Sequence, residues 1–266
     1  MKNNLTIPVN GIPMSYEDSG KHTLPVIFVH GFPFNKSMWD PQFEFLKETH
    51  RVITYDLPGF GNSGPLRAET SLTDFADNLV QFMDALKIEK ANVCGFSMGG
   101  YILLNAMERY PFRFESIILC DTQCAADSKE NAQKRFDTIQ DIEKKGLEEF
   151  TDEFLKKVFS NHAEIETTER MKQVILSNSP QAIIAALKAM AGRKETCSGL
   201  KNILVPTLVL CGEEDTLTPV AVSEFLFESI PNAEMHVIKN AGHLSNLEQP
   251  EIFNGHLHNF ISDIIL

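Results

Sequence analysis

The stretch Val93-Cys94-Gly95-Phe96-Ser97-Met98-Gly99-Gly100 decides the fold, because in it an apolar strand runs directly into a serine that is followed by a helical run. Glycines stand two positions before and two positions after Ser97, where a side chain would collide with the neighbouring strand and helix. The turn lifts the hydroxyl of Ser97 above the end of the strand, at a helix N-terminus whose free N–H groups favour negative charge. We therefore predict that Ser97 is a nucleophile, and the alternative is a strand-to-helix turn that carries no chemistry.

Strand-like and helical runs alternate on both sides of this motif. Two short strands, Leu5 to Val9 and Ile12 to Asp18, are predicted to meet at a turn, and a closing helix is predicted from Leu247 to Ile261. The remaining strands are predicted at Pro25 to Val29, Arg51 to Tyr55, Glu115 to Cys120, Pro206 to Cys211 and Glu234 to Ile238. Helical runs between strands imply parallel pairing with right-handed crossovers. The sequence therefore predicts the α/β class, with a mostly parallel twisted sheet and helices on both faces.

The alternation stops between Asp127 and Cys197, where the sequence is typical of charged amphipathic helices and contains no convincing strand. We predict that residues 1–126 and 198–266 form the core and that residues 127–197 are a helical insertion. Insertions at the C-terminal ends of strands lie over the crevice in which such sheets bind ligands. A lid over Ser97 is therefore expected, and the alternative is a set of extra packing helices.

The charge balance restricts the partners that the protein can bind. The chain has 266 residues and a formal net charge of −12. Such a charge repels phosphate backbones and anionic membrane surfaces, so neither nucleic acid nor a membrane is expected as a partner. The sequence makes no prediction of the oligomeric state.

The N-terminus and the cysteines favour a cytoplasmic protein. The first residues lack the apolar core of a signal peptide, and no apolar run is long enough to span a bilayer. Three of the five cysteines, Cys94, Cys120 and Cys211, lie in strand-like runs, where thiols act as small apolar groups. The odd count predicts no disulfide framework, and the spacing does not fit a zinc site.

Polar residues that could assist Ser97 follow other predicted strands. Asp215 ends the loop after one strand, and His243 follows the last strand. A serine hydroxyl needs a base to take its proton, and that base needs an orienting acceptor. Asp121, directly after the strand that follows Ser97, is an alternative acid. Glu213 and Glu214 are expected to be solvated.

Five motifs in the same order carry a resemblance to the α/β-hydrolase superfamily over nearly the whole chain. They are His30-Gly31-Phe32, Asp56-Leu57-Pro58-Gly59-Phe60-Gly61, Gly95-Phe96-Ser97-Met98-Gly99-Gly100, Gly212-Glu213-Glu214-Asp215 and Gly242-His243. The resemblance implies that His243 is the general base and that Asp215 orients its imidazole. It also implies an oxyanion hole made of the backbone N–H groups of Phe32 and Met98.

The chain resembles small bacterial carboxylesterases, 3-oxoadipate enol-lactonases and cofactor-free perhydrolases within this superfamily. We expect hydrolysis of a small or medium carboxylic ester or lactone through an acyl-serine, with no cofactor and no metal. Enol-lactone hydrolysis would need a cation for the substrate carboxylate, which Arg135 or Arg193 could supply. C–C bond hydrolysis with the same three residues is also compatible with the motifs. From a different class, a ligand-sensing signalling protein is compatible with them as well.

Overall fold

The structure is a computed structural model that describes residues 4–67 and 69–264. Within these residues, eight strands form one sheet. In chain order they are β1 (Leu5–Val9), β2 (Ile12–Asp18), β3 (Pro25–Val29), β4 (Arg51–Tyr55), β5 (Ala91–Phe96), β6 (Phe114–Cys120), β7 (Thr207–Gly212) and β8 (Ala233–Ile238). Their order across the sheet is β1-β2-β4-β3-β5-β6-β7-β8. Strand β2 pairs antiparallel with β1 and β4, and all other neighbours pair parallel, so the predicted α/β class with a mostly parallel sheet is confirmed.

The central strands are buried on both faces because helices cover the sheet. Every residue of β3, β5 and β7 is buried, which explains why these strands are continuous apolar runs in the sequence. The helices of the core are α1 (Asp40–Leu46), α2 (Leu72–Ala85), α3 (Met98–Arg109), α8 (Val220–Ser229), α9 (Ser245–Glu248) and α10 (Pro250–Ile264). The parallel arrangement brings the C-terminal ends of β5, β7 and β8 to one edge of the sheet, where the loops carrying Ser97, Asp215 and His243 begin.

Residues 121–206, all of which the structure describes, contain helices and no strand. The four α-helices of this insertion are α4 (Lys129–Lys145), α5 (Leu147–Val158), α6 (Ile165–Leu176) and α7 (Pro180–Ala191). Asn178, at the junction between α6 and α7, donates to the carbonyl of Pro33 at 2.9 Å and accepts from the N–H of Gly61 at 3.0 Å. These bonds fix the insertion to two loops of the core.

The C-terminal part of the chain differs from its prediction. The sequence pattern predicts one helix from Leu247 to Ile261, but α9 ends before Gln249 and α10 begins at Pro250. Gln249 has φ −132° and ψ 60°, outside the helical region. Proline disfavours helical geometry in the residue before it and has no N–H to donate, so the two segments are separate helices.

The described residues contain no single helix that is both long and apolar enough to cross a membrane. Only α6 and α7 taken together are long and apolar enough, and the angle between the two helices is 95°.

A disulfide joins Cys124 to Cys197, so the expectation that the cysteines form no disulfide is wrong. Strands β6 and β7 are neighbours in the sheet, and the insertion therefore leaves and returns at adjacent points. This topology brings together two cysteines that are 73 residues apart in the sequence. Cys94, Cys120 and Cys211 are free and buried, as predicted for apolar positions in strands.

We expect the disulfide to stabilise the fold through its long closed loop. For a loop of 73 residues, the chain-entropy model gives a contribution of about 4 kcal/mol, and measured values are commonly about 2–4 kcal/mol. The Cys124→Ser/Cys197→Ser double variant should therefore unfold at a lower urea concentration than the oxidised wild type. With reductant present, the two proteins should unfold at the same urea concentration. Equal unfolding midpoints without reductant would contradict the prediction.

Candidate active site

Ser97 occupies the strained turn that the sequence predicts. Its φ of 51° and ψ of −113° lie in a region that residues other than glycine rarely adopt, and such strain costs about 1–3 kcal/mol. A Cβ at Gly95 would lie 2.5 Å from the carbonyl oxygen of Gly99, and one at Gly99 would overlap the carbonyl oxygen of Val29. Glycine at both positions therefore permits the close approach of helix α3 to strands β3 and β5.

The side chains of Ser97, His243 and Asp215 form a hydrogen-bonded chain. His243 Nε2 lies 2.9 Å from Ser97 Oγ, and His243 Nδ1 lies 2.7 Å from Asp215 Oδ2. His243 and Asp215 are only 2% and 4% exposed, whereas Ser97 is half-buried. With Nδ1 protonated and donating to Asp215, Nε2 is free to accept the proton of the serine hydroxyl.

The carboxylate of Asp215 is saturated with donors. Oδ1 accepts the N–H groups of Leu217 at 2.8 Å and Thr218 at 3.0 Å, and Oδ2 accepts the hydroxyl of Thr218 at 2.6 Å. Burial alone would raise the pKa of Asp215, but His243 and these donors outweigh it and hold the pKa below its usual value. Asp215 is therefore ionised beside the imidazole at neutral pH.

Asp121, the alternative acid in the sequence, is not part of this chain of hydrogen bonds. It accepts the N–H of Gly212 at 2.8 Å, and its other oxygen lies 2.5 Å from Ser245 Oγ. Burial, and then the charge of Asp215, raise its pKa well above the usual value, so a neutral carboxylic acid is favoured. The structure brings Asp215, rather than Asp121, into hydrogen-bond contact with His243.

We expect Asp121→Asn to keep activity. Its stability relative to the wild type should increase as the pH rises. The amide reproduces the neutral acid, since it can accept from Gly212 and donate to Ser245, and asparagine tolerates the φ of 45° at this position. The pKa of Asp121 is higher in the folded state than in the unfolded state, where it is near 4. The wild type therefore loses stability as the pH rises from the unfolded-state pKa through the folded-state pKa. The amide has no proton to lose, and the stability of the variant relative to the wild type should rise through that window.

Urea titrations at several pH values measure this effect, and Asp121→Ala is the matched control. Alanine leaves the buried N–H of Gly212 and the hydroxyl of Ser245 without a partner, which costs about 1–3 kcal/mol at any pH. A stability difference between Asp121→Asn and wild type that does not change with pH would contradict a neutral Asp121.

Asp121, Asp215 and His243 are also spaced as metal ligands could be. Their ligand atoms lie within 4.8 Å of one another. Hydrogen bonds already engage both oxygens of each carboxylate and both nitrogens of the imidazole. A metal here would have to displace the bond between Asp215 and His243, and a site without metal stays our prediction.

The two amides predicted to stabilise an oxyanion are those of Phe32 and Met98. Within the described part of the chain, the N–H groups of Phe32 and Met98 donate no hydrogen bond, and Phe32 and Ser97 line the same cavity. His30 braces the first loop, because its Nε2 accepts the N–H of Leu57 at 3.0 Å and its Nδ1 lies 2.9 Å from the carbonyl oxygen of Gly31. Burial lowers the pKa of His30 to about 4, so this imidazole is neutral.

A cavity of about 680 Å³ opens over Ser97 and His243, between the core and the insertion. Apolar side chains of the insertion that line it are Phe150, Phe154, Leu187 and Met190. The rings of Phe150 and Phe154 stack at 5.6 Å, and Phe32 packs edge-on against Phe154 at 6.0 Å. The cavity therefore has Ser97 and His243 on one side and an aromatic wall on the other.

The two arginines singled out in the sequence have different positions. Arg135 lines the cavity above Ser97 and binds Asp127 through Nε at 2.5 Å. Arg193 binds the same carboxylate through Nη1 at 2.6 Å but does not line that cavity. Burial alone would raise the pKa of Asp127, yet the two guanidinium groups hold it below its usual value. Only Arg135 of this pair lines the cavity above Ser97.

Glu248 links the loop that carries His243 to the insertion, and the sequence does not predict this link. Glu248 accepts the N–H of Gly242 at 2.9 Å and the N–H of Ser160, beyond α5, at 3.0 Å. Burial raises its pKa above the usual value. An acidic residue five positions after His243 was visible in the sequence, but the Ser160 partner, 88 residues away, was not.

A family model of the alpha/beta hydrolase fold matches residues 25–250. The match spans most of the chain, and the protein therefore belongs to the α/β-hydrolase family.

The individual relatives include proteins named as esterases and lactonases. The chain is 30% identical to 3-oxoadipate enol-lactonase 1 of Acinetobacter baylyi, over 96% of this chain and 95% of that protein. Its structure superposes on a thermophilic esterase from Thermogutta terrifontis with a TM-score of 0.93 and 31% identity, covering 98% of this chain and 99% of the other. It also superposes on the enol-lactonase from Burkholderia xenovorans LB400 with a TM-score of 0.90 and 25% identity. That superposition covers 97% of this chain and 100% of the other. Hydrolysis of an ester bond is the activity that these three names have in common.

Proposed function

We propose that the protein is a serine hydrolase that cleaves a small or medium carboxylic ester or lactone through an acyl-serine intermediate. The observation that carries this proposal is the chain of contacts from Ser97 Oγ through His243 to Asp215, with distances of 2.9 and 2.7 Å. Each contact lies within the range expected of a nucleophile, its base and the group that orients the base.

In the proposed reaction, Nε2 of His243 takes the hydroxyl proton as Ser97 Oγ attacks the carbonyl carbon. The N–H groups of Phe32 and Met98 bind the oxyanion, and the imidazolium, stabilised by Asp215, returns its proton to the leaving alcohol oxygen. Water then attacks the acyl-serine by the same route and releases the acid. Each free oxyanion donor is expected to lower the barrier by about 3 kcal/mol.

The helical insertion, residues 127–197, is proposed to act as a lid that selects the acyl group. Support comes from its aromatic wall, formed by Phe150 and Phe154, which faces Ser97 across the cavity. A cavity of about 680 Å³ suits a small or medium substrate rather than a polymer chain. No cofactor enters this reaction scheme.

A substrate panel tests the proposal directly. We expect turnover of p-nitrophenyl esters with short and medium acyl chains, and of simple lactones, with kcat/KM falling as the acyl chain outgrows the cavity. A slow reaction whose rate does not depend on acyl length, together with ligand-dependent capture of a protein partner, would instead favour the ligand-sensing function.

A lactone with a free carboxylate is a second candidate substrate, favoured by the position of Arg135 above Ser97. Asp127 is shared between the guanidinium groups of Arg135 and Arg193, so it neutralises Arg135 only in part. Among relatives, the 30% identical protein is named an enol-lactonase.

If a substrate carboxylate binds Arg135, Arg135→Gln should raise KM for a carboxylate-bearing enol-lactone about tenfold or more, because a charge-assisted hydrogen bond is lost. The variant should leave KM for p-nitrophenyl butyrate nearly unchanged. Steady-state kinetics on both substrates measure the difference, and an equal change in both KM values would contradict this role.

The cytoplasmic location stays a prediction from the sequence. The Cys124–Cys197 disulfide counts against it, because disulfides are rare in proteins of reducing compartments. Fractionation of cells, with an antibody against the protein as the readout, distinguishes a cytoplasmic protein from an exported one.

A further inference from the structure

A second cavity, of about 200 Å³, lies at the base of the insertion beside the catalytic cavity. Its walls come from the N-terminus of α2, the middle of α3 and the segment after α7. Leu72, Thr73, Asn105, Arg193 and Lys194 are among its lining residues. Tyr101 and Gln123 line both cavities and form the partition between them. Nothing in the proposed ester hydrolysis uses this second cavity.

Arg193 lines this cavity and carries a buried donor that has no partner among the described residues. The residue is only 8% exposed, and its guanidinium carbon lies 4.3 Å from the centre of the Tyr101 ring. Nε donates to the carbonyl of Ala125 at 3.1 Å, and Nη1 donates to Asp127 at 2.6 Å and to the carbonyl of Met190 at 3.0 Å. Nη2 is buried and has no hydrogen-bond partner among the described residues. A buried charged donor without a partner is costly unless a ligand satisfies it.

Other residues that line the same cavity also have hydrogen-bonding groups without a partner in the described part of the chain. Asn105 Oδ1 is buried without a partner among the residues that the structure describes, and rotation of the amide would present its NH₂ group instead. The N–H groups of Leu72 and Thr73 are the first two of helix α2, which has 14 residues, and they have no partner within the helix. The capping carboxylate of Asp74 accepts from Ser71 and does not line the cavity.

The charged residues that line the cavity directly have one sign. Of the described residues that line it, Arg193 and Lys194 are cationic and none is acidic. Asp127 neutralises Arg193 only in part, because it also binds Arg135, and Lys194 has no ion pair within residues 4–67 and 69–264. The lining therefore carries a local excess of positive charge, although the chain has a formal net charge of −12.

We propose that this cavity is a binding site for a small oxyanion, a carboxylate or a phosphate. The anion would accept hydrogen bonds from Arg193 Nη2, from the amide of Asn105 and from the N-terminus of α2. Helix N-termini bind such groups because the free N–H groups and the helix dipole both favour negative charge. Through Tyr101 and Gln123, the bound anion is adjacent to the substrate cavity.

Isothermal titration calorimetry with inorganic phosphate and, separately, with acetate tests the proposal at constant ionic strength set by chloride. We expect binding of at least one of the two with a Kd of about 1 mM or tighter. Binding of phosphate alone, or of acetate alone, identifies which oxyanion the site prefers. Heats no larger than those of a chloride titration would overturn the proposal.

Three variants locate the anion. Arg193→Gln and Asn105→Leu should each weaken binding at least about tenfold, the loss of one charge-assisted or buried hydrogen bond. Because Arg193 also holds Asp127, Gly192→Glu provides a test that keeps that ion pair. Gly192 lines the cavity, a Cβ there meets only the carbonyl of Lys188 at 3.5 Å, and the introduced carboxylate would replace the external anion.

Lys157→Gln is the matched control, because this exposed cation lines the catalytic cavity and not the second one. Binding that survives Lys157→Gln and is lost in Gly192→Glu supports the proposal. Binding that is lost in Lys157→Gln, or that persists in Gly192→Glu, would overturn it. The measurement uses no substrate, so its outcome is independent of the proposed hydrolysis.

Discussion

Ser97→Ala is expected to lower kcat for p-nitrophenyl butyrate by about 10⁶-fold, the loss seen when a serine nucleophile is removed from a hydrogen-bonded set of three catalytic residues. The reason is that the attacking oxygen disappears while the cavity and the oxyanion donors remain. KM should change little, because the substrate still contacts the same walls. Initial rates with purified protein measure the effect.

Ser177→Ala serves as the matched control, because Ser177 is exposed and lies outside the cavity. Its activity should equal that of the wild type. If Ser97→Ala kept a tenth of the wild-type activity, the hydrolysis would have to proceed without an acyl-serine.

Asp215→Asn is expected to lower kcat by about 10³- to 10⁴-fold. The amide NH₂ group opposite His243 would favour the tautomer whose Nε2 carries the proton, and that nitrogen could no longer accept from Ser97. A neutral amide also cannot stabilise the imidazolium that forms during the reaction. The variant should remain folded, since an amide oxygen can still accept from the N–H groups of Leu217 and Thr218.

Asp121→Asn, assayed beside it, separates the two carboxyl groups. We expect this second variant to keep most of its activity, because Asp121 contacts Gly212 and Ser245 rather than His243. Near-normal activity in Asp215→Asn together with a large loss in Asp121→Asn would reverse the assignment of the acid.

The sheet and the geometry around Ser97 were predictable because their determinants are local. A continuous apolar run such as Pro25–Val29 marks a strand buried on both faces, and the glycines around Ser97 follow from close contacts between the strand, the turn and the helix. The hydrogen bonds from Ser97 through His243 to Asp215 join residues that are 146 and 28 positions apart. Their proximity follows from the parallel sheet, which brings the ends of three strands to one edge.

Features that depend on how the insertion packs could not be predicted. The pairing of Cys124 with Cys197 requires that β6 and β7 be neighbours, and an odd cysteine count conceals such a pair. Arg135 and Arg193 were indistinguishable in the sequence, and the helix packing alone places Arg135 in the cavity above Ser97. The break at Pro250, by contrast, was predictable from the proline itself.

The acyl-serine mechanism is tested most directly by treating the protein with a fluorophosphonate probe and mapping the adduct by peptide mass spectrometry. We expect one rapid adduct on the oxygen of Ser97, because an activated serine beside oxyanion donors attacks the phosphorus centre, and a much slower reaction in His243→Ala. No adduct on folded protein, or an adduct on another residue, would contradict the mechanism.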